Sequence, residues 1–262
     1  MLEETSGNRT PPSHRKLVLV LLGASVLATL AVLPYSEAVL PTNTTENKEF
    51  MWAALSCGLF LQLVILYGCI EIGLRLGPPI GLRTPLLFSM LGGERLEKSE
   101  LRRILWMALG GGAVVGFLTW GLSKVLEPYF PKPRIPIPEW GPLAGLLGAV
   151  GAGISEEIMF RFGCMVLLAF VGASLFRREA SPAPFIWTAN VLAALFFGAA
   201  HLPQASIFYD LTPAVLFAVL ALNALVGIFC GWLYWRYGLV SAMMAHFSVD
   251  IVLKVLAPVI GS

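Results

Sequence analysis

From Leu17 to the C-terminus the chain alternates apolar runs of bilayer-crossing length with short polar connections, and that alternation leaves few folds open to it. In hydrocarbon each backbone N–H and C=O must find its partner within the protein, so a run of about 20 apolar residues crosses as a helix. Composition agrees: 57% of the residues are hydrophobic and 13% charged, against roughly 25% charged in an ordinary soluble domain. The expected class is all-α, a polytopic transmembrane helix bundle. A net charge of +2 with no basic stripe among aromatics gives no support to a nucleic-acid partner. Partners are expected in or beside the lipid bilayer.

Residues 1–16 form a polar N-terminus ending in Arg15-Lys16, and Leu17–Leu33 then runs without a charge. A cleaved signal peptide has an apolar core of about 7–15 residues, so this longer run fits a retained span better. The polar stretch Pro34–Glu49 carries the sequon Asn43-Thr44-Thr45, and Asn8-Arg9-Thr10 is another. The second span is Phe50–Ile70. The loop after it, 71–103, holds six of the eighteen basic residues: Arg75, Arg83, Arg95, Lys98, Arg102 and Arg103. By the positive-inside rule this loop and the N-terminus are cytoplasmic.

Ile104–Leu122 crosses back, and Ser123–Trp140, with five prolines, reads as an extended outer connection. Leu143–Phe176 would reach about 51 Å as one helix at about 1.5 Å per residue, which overshoots a hydrocarbon core of about 30 Å. It must tilt, protrude or break, and Gly151 to Gly153 offers a break point. After Arg177-Arg178 on the inside come Phe185–Leu202, Leu211–Trp235 and Leu239–Pro258. The expectation is seven spans, or eight if the long segment is two. It divides into N-terminal helices over 17–142 and a core over 143–262.

The core carries the chemistry-bearing residues. Glu156-Glu157-Ile-Met-Phe-Arg161 interrupts the longest apolar run, and ionisable groups at such a depth face a protein interior or a wet cavity. Glu157 and Arg161, four apart, can pair. Glu156 points about 100° away and has no local partner, so desolvation suits it to act as a base. His201 ends Phe197-Gly-Ala-Ala-His201, with Asn190 three turns earlier and Pro203 just after. His246, Asp250 and Lys254 form a stripe down the last span, with Lys254 expected to snorkel to the surface. Asn223 reads as interhelical glue.

Cys57, Cys69, Cys164 and Cys230 form no C-x-x-C pair and read as small core residues. H-E-x-x-H, G-x-S-G and a second embedded aspartate are all absent, which removes the zincin, rhomboid and aspartyl patterns. The acid and two imidazoles can activate water, or hold a metal that does.

In order, Glu156-Glu157-x-x-x-Arg161, Phe197-x-x-x-His201 and His246-x-x-x-Asp250 resemble the three motifs of the CAAX prenyl protease and bacteriocin-processing family, over about residues 143–252. The resemblance implies a helical membrane bundle with a polar cleft open to the cytosol. In it Glu156 and His201 activate water for attack on a peptide carbonyl, His246 and residue 250 hold the oxyanion, and Glu157 and Arg161 support them. No cofactor is implied, although two imidazoles and two or three carboxylates have donors suited to zinc, so metal dependence stays open. Prenyl-protein proteases of the family usually end the third motif in Asn. An ionised Asp250 cannot donate to an oxyanion, so it must be protonated, orient His246, or mark another substrate branch.

The leading function is an intramembrane endopeptidase of the glutamate type, acting on a membrane-associated protein or peptide, prenylated, lipidated or neither. Second is a non-proteolytic scaffold or immunity-type protein that binds a membrane partner, and third a proton-coupled carrier. Depth counting leaves a conflict. At about 1.5 Å per residue, Glu156 and His246 sit roughly 10 Å from the inner face and His201 some 24 Å from it.

Overall fold

A computed structural model describes residues 12–39, 48–93, 95–176 and 183–260. Both sequons and Arg177-Arg178 lie outside the described residues, which contain helix and no strand. Among the described residues, seven helices are long and apolar enough to cross a membrane: α1 (His14–Ser36), α2 (Ser56–Leu76), α3 (Lys98–Tyr129), α4 (Pro142–Leu175), α5 (Ala183–Phe208), α6 (Pro213–Tyr237) and α7 (Leu239–Ile260). The chain is therefore an integral, multi-pass membrane protein. Large apolar side chains such as Leu27, Phe60, Trp106, Val114 and Phe217 point outward. In a bilayer that orientation costs nothing, because the surroundings are as apolar as the core.

The long fourth segment does not divide. It runs through Gly151 to Gly153 as regular helix and passes into a π-helical stretch, Ile158–Met165, directly after the two glutamates. The glycines are points of close approach rather than a hinge. A Cβ at Gly151 would lie 2.8 Å from the Ala28 carbonyl oxygen of α1, and one at Gly153 would lie 3.1 Å from the Met243 carbonyl oxygen of α7. α4 is thus clamped between the first and last spans. Of two further π-helical stretches, Trp106–Gly110 lies in α3 and Ile251–Leu256 directly follows Asp250. Such widened turns are uncommon and often sit at functional sites. α3 begins at Lys98, earlier than its apolar boundary suggests, because the charged turn Lys98–Leu105 is itself helical and exposes its polar side chains.

The fold separates two faces. On one, His14 of α1 reaches Glu71 of α2 at 3.2 Å and Lys16 donates to the Leu91 carbonyl. Gly238, the turn between α6 and α7, adopts φ +90°, and a Cβ there would crowd Arg83 and Pro85. On the other face the proline-rich connection is tied down. The Arg134 backbone N–H donates to the Phe208 carbonyl, its guanidinium pairs with Asp210, and Trp140 Nε1 donates to the Lys254 carbonyl. Tyr35, at the end of α1, meets the Trp140 ring edge-on at 5.1 Å.

Candidate active site

α4 carries Glu156 and Glu157 on adjacent residues, and helix geometry sends them to different surroundings. Glu157 is fully buried, with Oε1 2.7 Å from His246 Nδ1 and Oε2 3.3 Å from Arg161 Nε. The arginine contact is an ion pair without hydrogen-bond alignment, since Glu157 Oε2 and both Arg161 Nη atoms make no hydrogen bond. The guanidinium lies 4.9 Å over the Phe197 ring, which gives it a cation–π partner. The expected Glu157–Arg161 pair is thus present, with His246 as an unexpected third member.

Glu156 points instead into a cavity of about 740 Å³ that is also lined by His201, His246, Asp250, Lys254 and Asn223. It does have a partner, supplied from 90 residues away: His246 Nε2 lies 3.5 Å from its Oε2. The same nitrogen is 3.9 Å from Asp250 Oδ2. With Nδ1–H directed at the Glu157 carboxylate, His246 turns Nε2 toward the cavity. A carboxylate thus stands at each ring nitrogen, Glu157 at Nδ1 and Glu156 at Nε2.

His201 joins the site indirectly. It lines the cavity at the end of the regular part of α5, where the helix turns into Leu202–Phe208 with Pro203 in its first turn. Its Nδ1 donates back to the Phe197 carbonyl at 2.8 Å, which leaves Nε2 free of that proton. The Phe197 ring, one turn deeper, contacts His201 edge-on at 4.8 Å and His246 at 5.6 Å. One aromatic ring thus contacts both imidazoles, one from α5 and one from α7.

Other expectations shift. Lys254 does not snorkel away. Its Nζ donates to Asp250 Oδ2 at 2.6 Å, stands 5.0 Å over the Tyr35 ring, and faces the cavity. Asn223 bonds the Val219 carbonyl of its own helix and lines the cavity, whereas the buried Asn190 donates to the Ile228 carbonyl of α6 and is the interhelical link. Of the cysteines, Cys230 is buried, Cys69 and Cys164 are partly so, and Cys57 is exposed. Tyr35, Phe197 and Lys254 were the residues hardest to place by sequence. Phe197 stood in a motif as a letter without a role, and Tyr35 had no motif to mark it.

The metal-type donors that come together are Glu157, Cys230 and His246, within 4.8 Å of one another. They fit a cation poorly, because Glu157 already neutralises Arg161 and binds His246 Nδ1, and the guanidinium stands beside them. His201 lies outside that group, so the two imidazoles do not form one ligand pair.

The cavity opens on the face of the proline-rich connection. Its upper wall includes Tyr35, Ser36, Ser123 and Gln204, and Ile137, Pro138 and Trp140 line the adjoining space beside His201. That is the face opposite the basic connection after α2. A cytoplasmic basic loop and a cytosolic cleft, both expected from the sequence, therefore exclude one another, because the helix count puts them on opposite sides.

No curated protein and no solved structure matches the chain. A family model does, that of the type II CAAX prenyl endopeptidase Rce1-like proteins, over residues 138–252. The matched stretch holds all three polar motifs and most of the cavity wall that α4 to α7 provide, but stops short of Leu253 and Lys254. Over residues 138–252 the chain is accordingly similar to the Rce1-like family of type II CAAX prenyl endopeptidases.

Proposed function

We propose that the protein is an intramembrane endopeptidase that hydrolyses a peptide bond in a membrane-associated protein or peptide, with Glu156 as the base. The observation that carries this reading is a carboxylate directed into a cavity beside two imidazoles, among helices long and apolar enough to span a membrane. Water held between Glu156 and His201 Nε2 loses a proton to Glu156 as its oxygen attacks the carbonyl carbon, while His201 Nε2 accepts a hydrogen bond from the other O–H and orients it. The carbonyl electron pair moves to oxygen, and His246, carrying a proton on each ring nitrogen between Glu157 and Glu156, turns its Nε2–H to that charge. When the carbon–nitrogen bond breaks, the proton held by Glu156 passes to the leaving amine. Glu157 and Arg161 hold His246 in place from behind.

Peptidase activity of the purified protein in detergent tests the reading, with His201→Ala expected to lower turnover by roughly 100-fold or more as the attacking water loses its orienting partner. If cells with wild type and cells with His201→Ala show identical protein N- and C-termini across the membrane proteome, a binding scaffold replaces the enzyme.

Orientation follows from charge. Exposed Arg15, Lys16, Arg83, Lys98, Arg102 and Arg236 lie on the face away from the cavity mouth. On the cavity face Lys124 and Arg134 are paired with Glu127 and Asp210. The basic face is the cytoplasmic one, with the N-terminus on it, and substrate enters from the other side of the membrane. In sealed right-side-out vesicles of a cysteine-free variant, Glu139→Cys should react with an impermeant maleimide and Ser99→Cys only after permeabilisation. The reverse labelling would put the cavity on the cytosol.

A further inference from the structure

We propose that Lys254 is a catalytic residue: its ammonium, oriented by Asp250, stabilises the oxyanion of the tetrahedral intermediate. The inference rests on the endopeptidase reading above. Attack of water on a carbonyl leaves a full negative charge on the carbonyl oxygen, and a low-dielectric site must meet it with donors already in place. Among the described residues that line the cavity, Lys254 is the one permanent cation. Arg161 lies behind the site, fully buried and committed to Glu157 and the Phe197 ring.

Lys254 is held as a donor rather than left mobile. One N–H goes to Asp250 Oδ2 at 2.6 Å, the Tyr35 ring lies 5.0 Å from Nζ, and Trp140 Nε1 fixes the Lys254 carbonyl at 2.9 Å. An ammonium has three N–H bonds, so two remain after the bond to Asp250. Asp250, in turn, is spent on Lys254. Paired with an ammonium at that distance it is an acceptor, and cannot itself donate to an oxyanion. Its distance of 3.9 Å from His246 Nε2 also makes it a weak orienting partner for that ring, since Glu157 already holds the other nitrogen at 2.7 Å.

The pair therefore does as a unit what one neutral amide could do alone. It carries no net charge, it sits one and two turns beyond His246 on the same helix, and it offers N–H donors to the cavity. This resolves the aspartate in the third motif. Asp250 anchors the cation, and the cation meets the developing charge.

The test is a four-way comparison of wild type, Lys254→Met, Asp250→Asn and the double variant. Turnover is measured on an internally quenched farnesylated peptide with an aliphatic C-terminal tripeptide, and on its unprenylated version. Loss of an oxyanion donor typically costs about 100- to 1000-fold in kcat. Lys254→Met should fall by that factor, with a smaller change in KM. Asp250→Asn keeps an amide donor and the lysine, and should stay within about tenfold of wild type. The double variant restores a neutral site with one amide donor, and should recover at least about tenfold over Lys254→Met. A lysine that served only the fold would show its loss as lower thermal stability and folded yield, with kcat per folded molecule unchanged.

Lys254→Met within threefold of wild type, or a double variant no faster than Lys254→Met at equal folded yield, would overturn the assignment and leave the endopeptidase reading standing. Wild type that cleaves neither peptide would sink both. If Lys254→Met does not fold, Lys254→Gln, which keeps the stem and loses the charge, takes its place with the same outcomes.

Discussion

Glu156→Gln lowers peptide turnover by about 1000-fold or more and leaves thermal stability in detergent unchanged. General acid–base groups typically contribute about 100- to 10,000-fold, and Glu156 is assigned both halves of the proton transfer, which places it toward the upper end. Stability is spared because Glu156 faces the cavity with 30% of its side chain exposed and holds up no neighbour except through a 3.5 Å contact to His246 Nε2. Glutamine is the same size and can still occupy that contact. What it cannot do is accept a proton. Turnover by Glu156→Gln within tenfold of wild type, measured on the purified protein, would remove Glu156 from the role of base.

Arg161→Met has the opposite profile, a folding defect first and an activity defect as its consequence. The guanidinium is 1% exposed and its carboxylate partner is completely buried. Removing one member of a buried ion pair leaves the other uncompensated, at a cost of about 3–5 kcal/mol. Glu157 would then be an isolated anion beside His246 in the centre of the bundle. Reversible unfolding in mixed micelles should show the loss, and Glu157→Gln combined with Arg161→Met should recover part of it, because no lone charge remains. The combined variant stays slow, since His246 has lost the carboxylate behind Nδ1. If Arg161→Met is as stable as wild type, the pair is not what holds this part of α4.

The spans and the three polar motifs were legible in the sequence because both follow local rules. Apolar length sets the helices, and spacing by four residues puts Glu157 with Arg161 and His246 with Asp250. What was not legible is non-local or depends on where water reaches. Glu156 looked partnerless because its neighbour, His246, comes from a helix 90 residues further on. Lys254 was expected to leave the membrane by its long stem. It turns inward because Asp250, Tyr35 and the cavity give it a better environment, and no hydropathy pattern separates a wet interior from lipid. Asn190, and not Asn223, links two helices for the same reason: each is a polar residue in an apolar run, and only the packing of α5 on α6 decides which one faces a neighbouring backbone. The glycines at 151 to 153 looked like a flexible joint, yet the same missing side chains allow contact with α1 and α7.

The first span changes what counts as the enzyme. Val32, Tyr35 and Ser36 form part of the wall around Glu156, and Tyr35 holds Trp140 and Lys254 against it, although the family likeness begins more than a hundred residues later. Evolutionary kinship and the working machine therefore have different borders. A fragment trimmed to the shared stretch would keep the three polar motifs but lose Lys254, and would stand open to lipid along one flank.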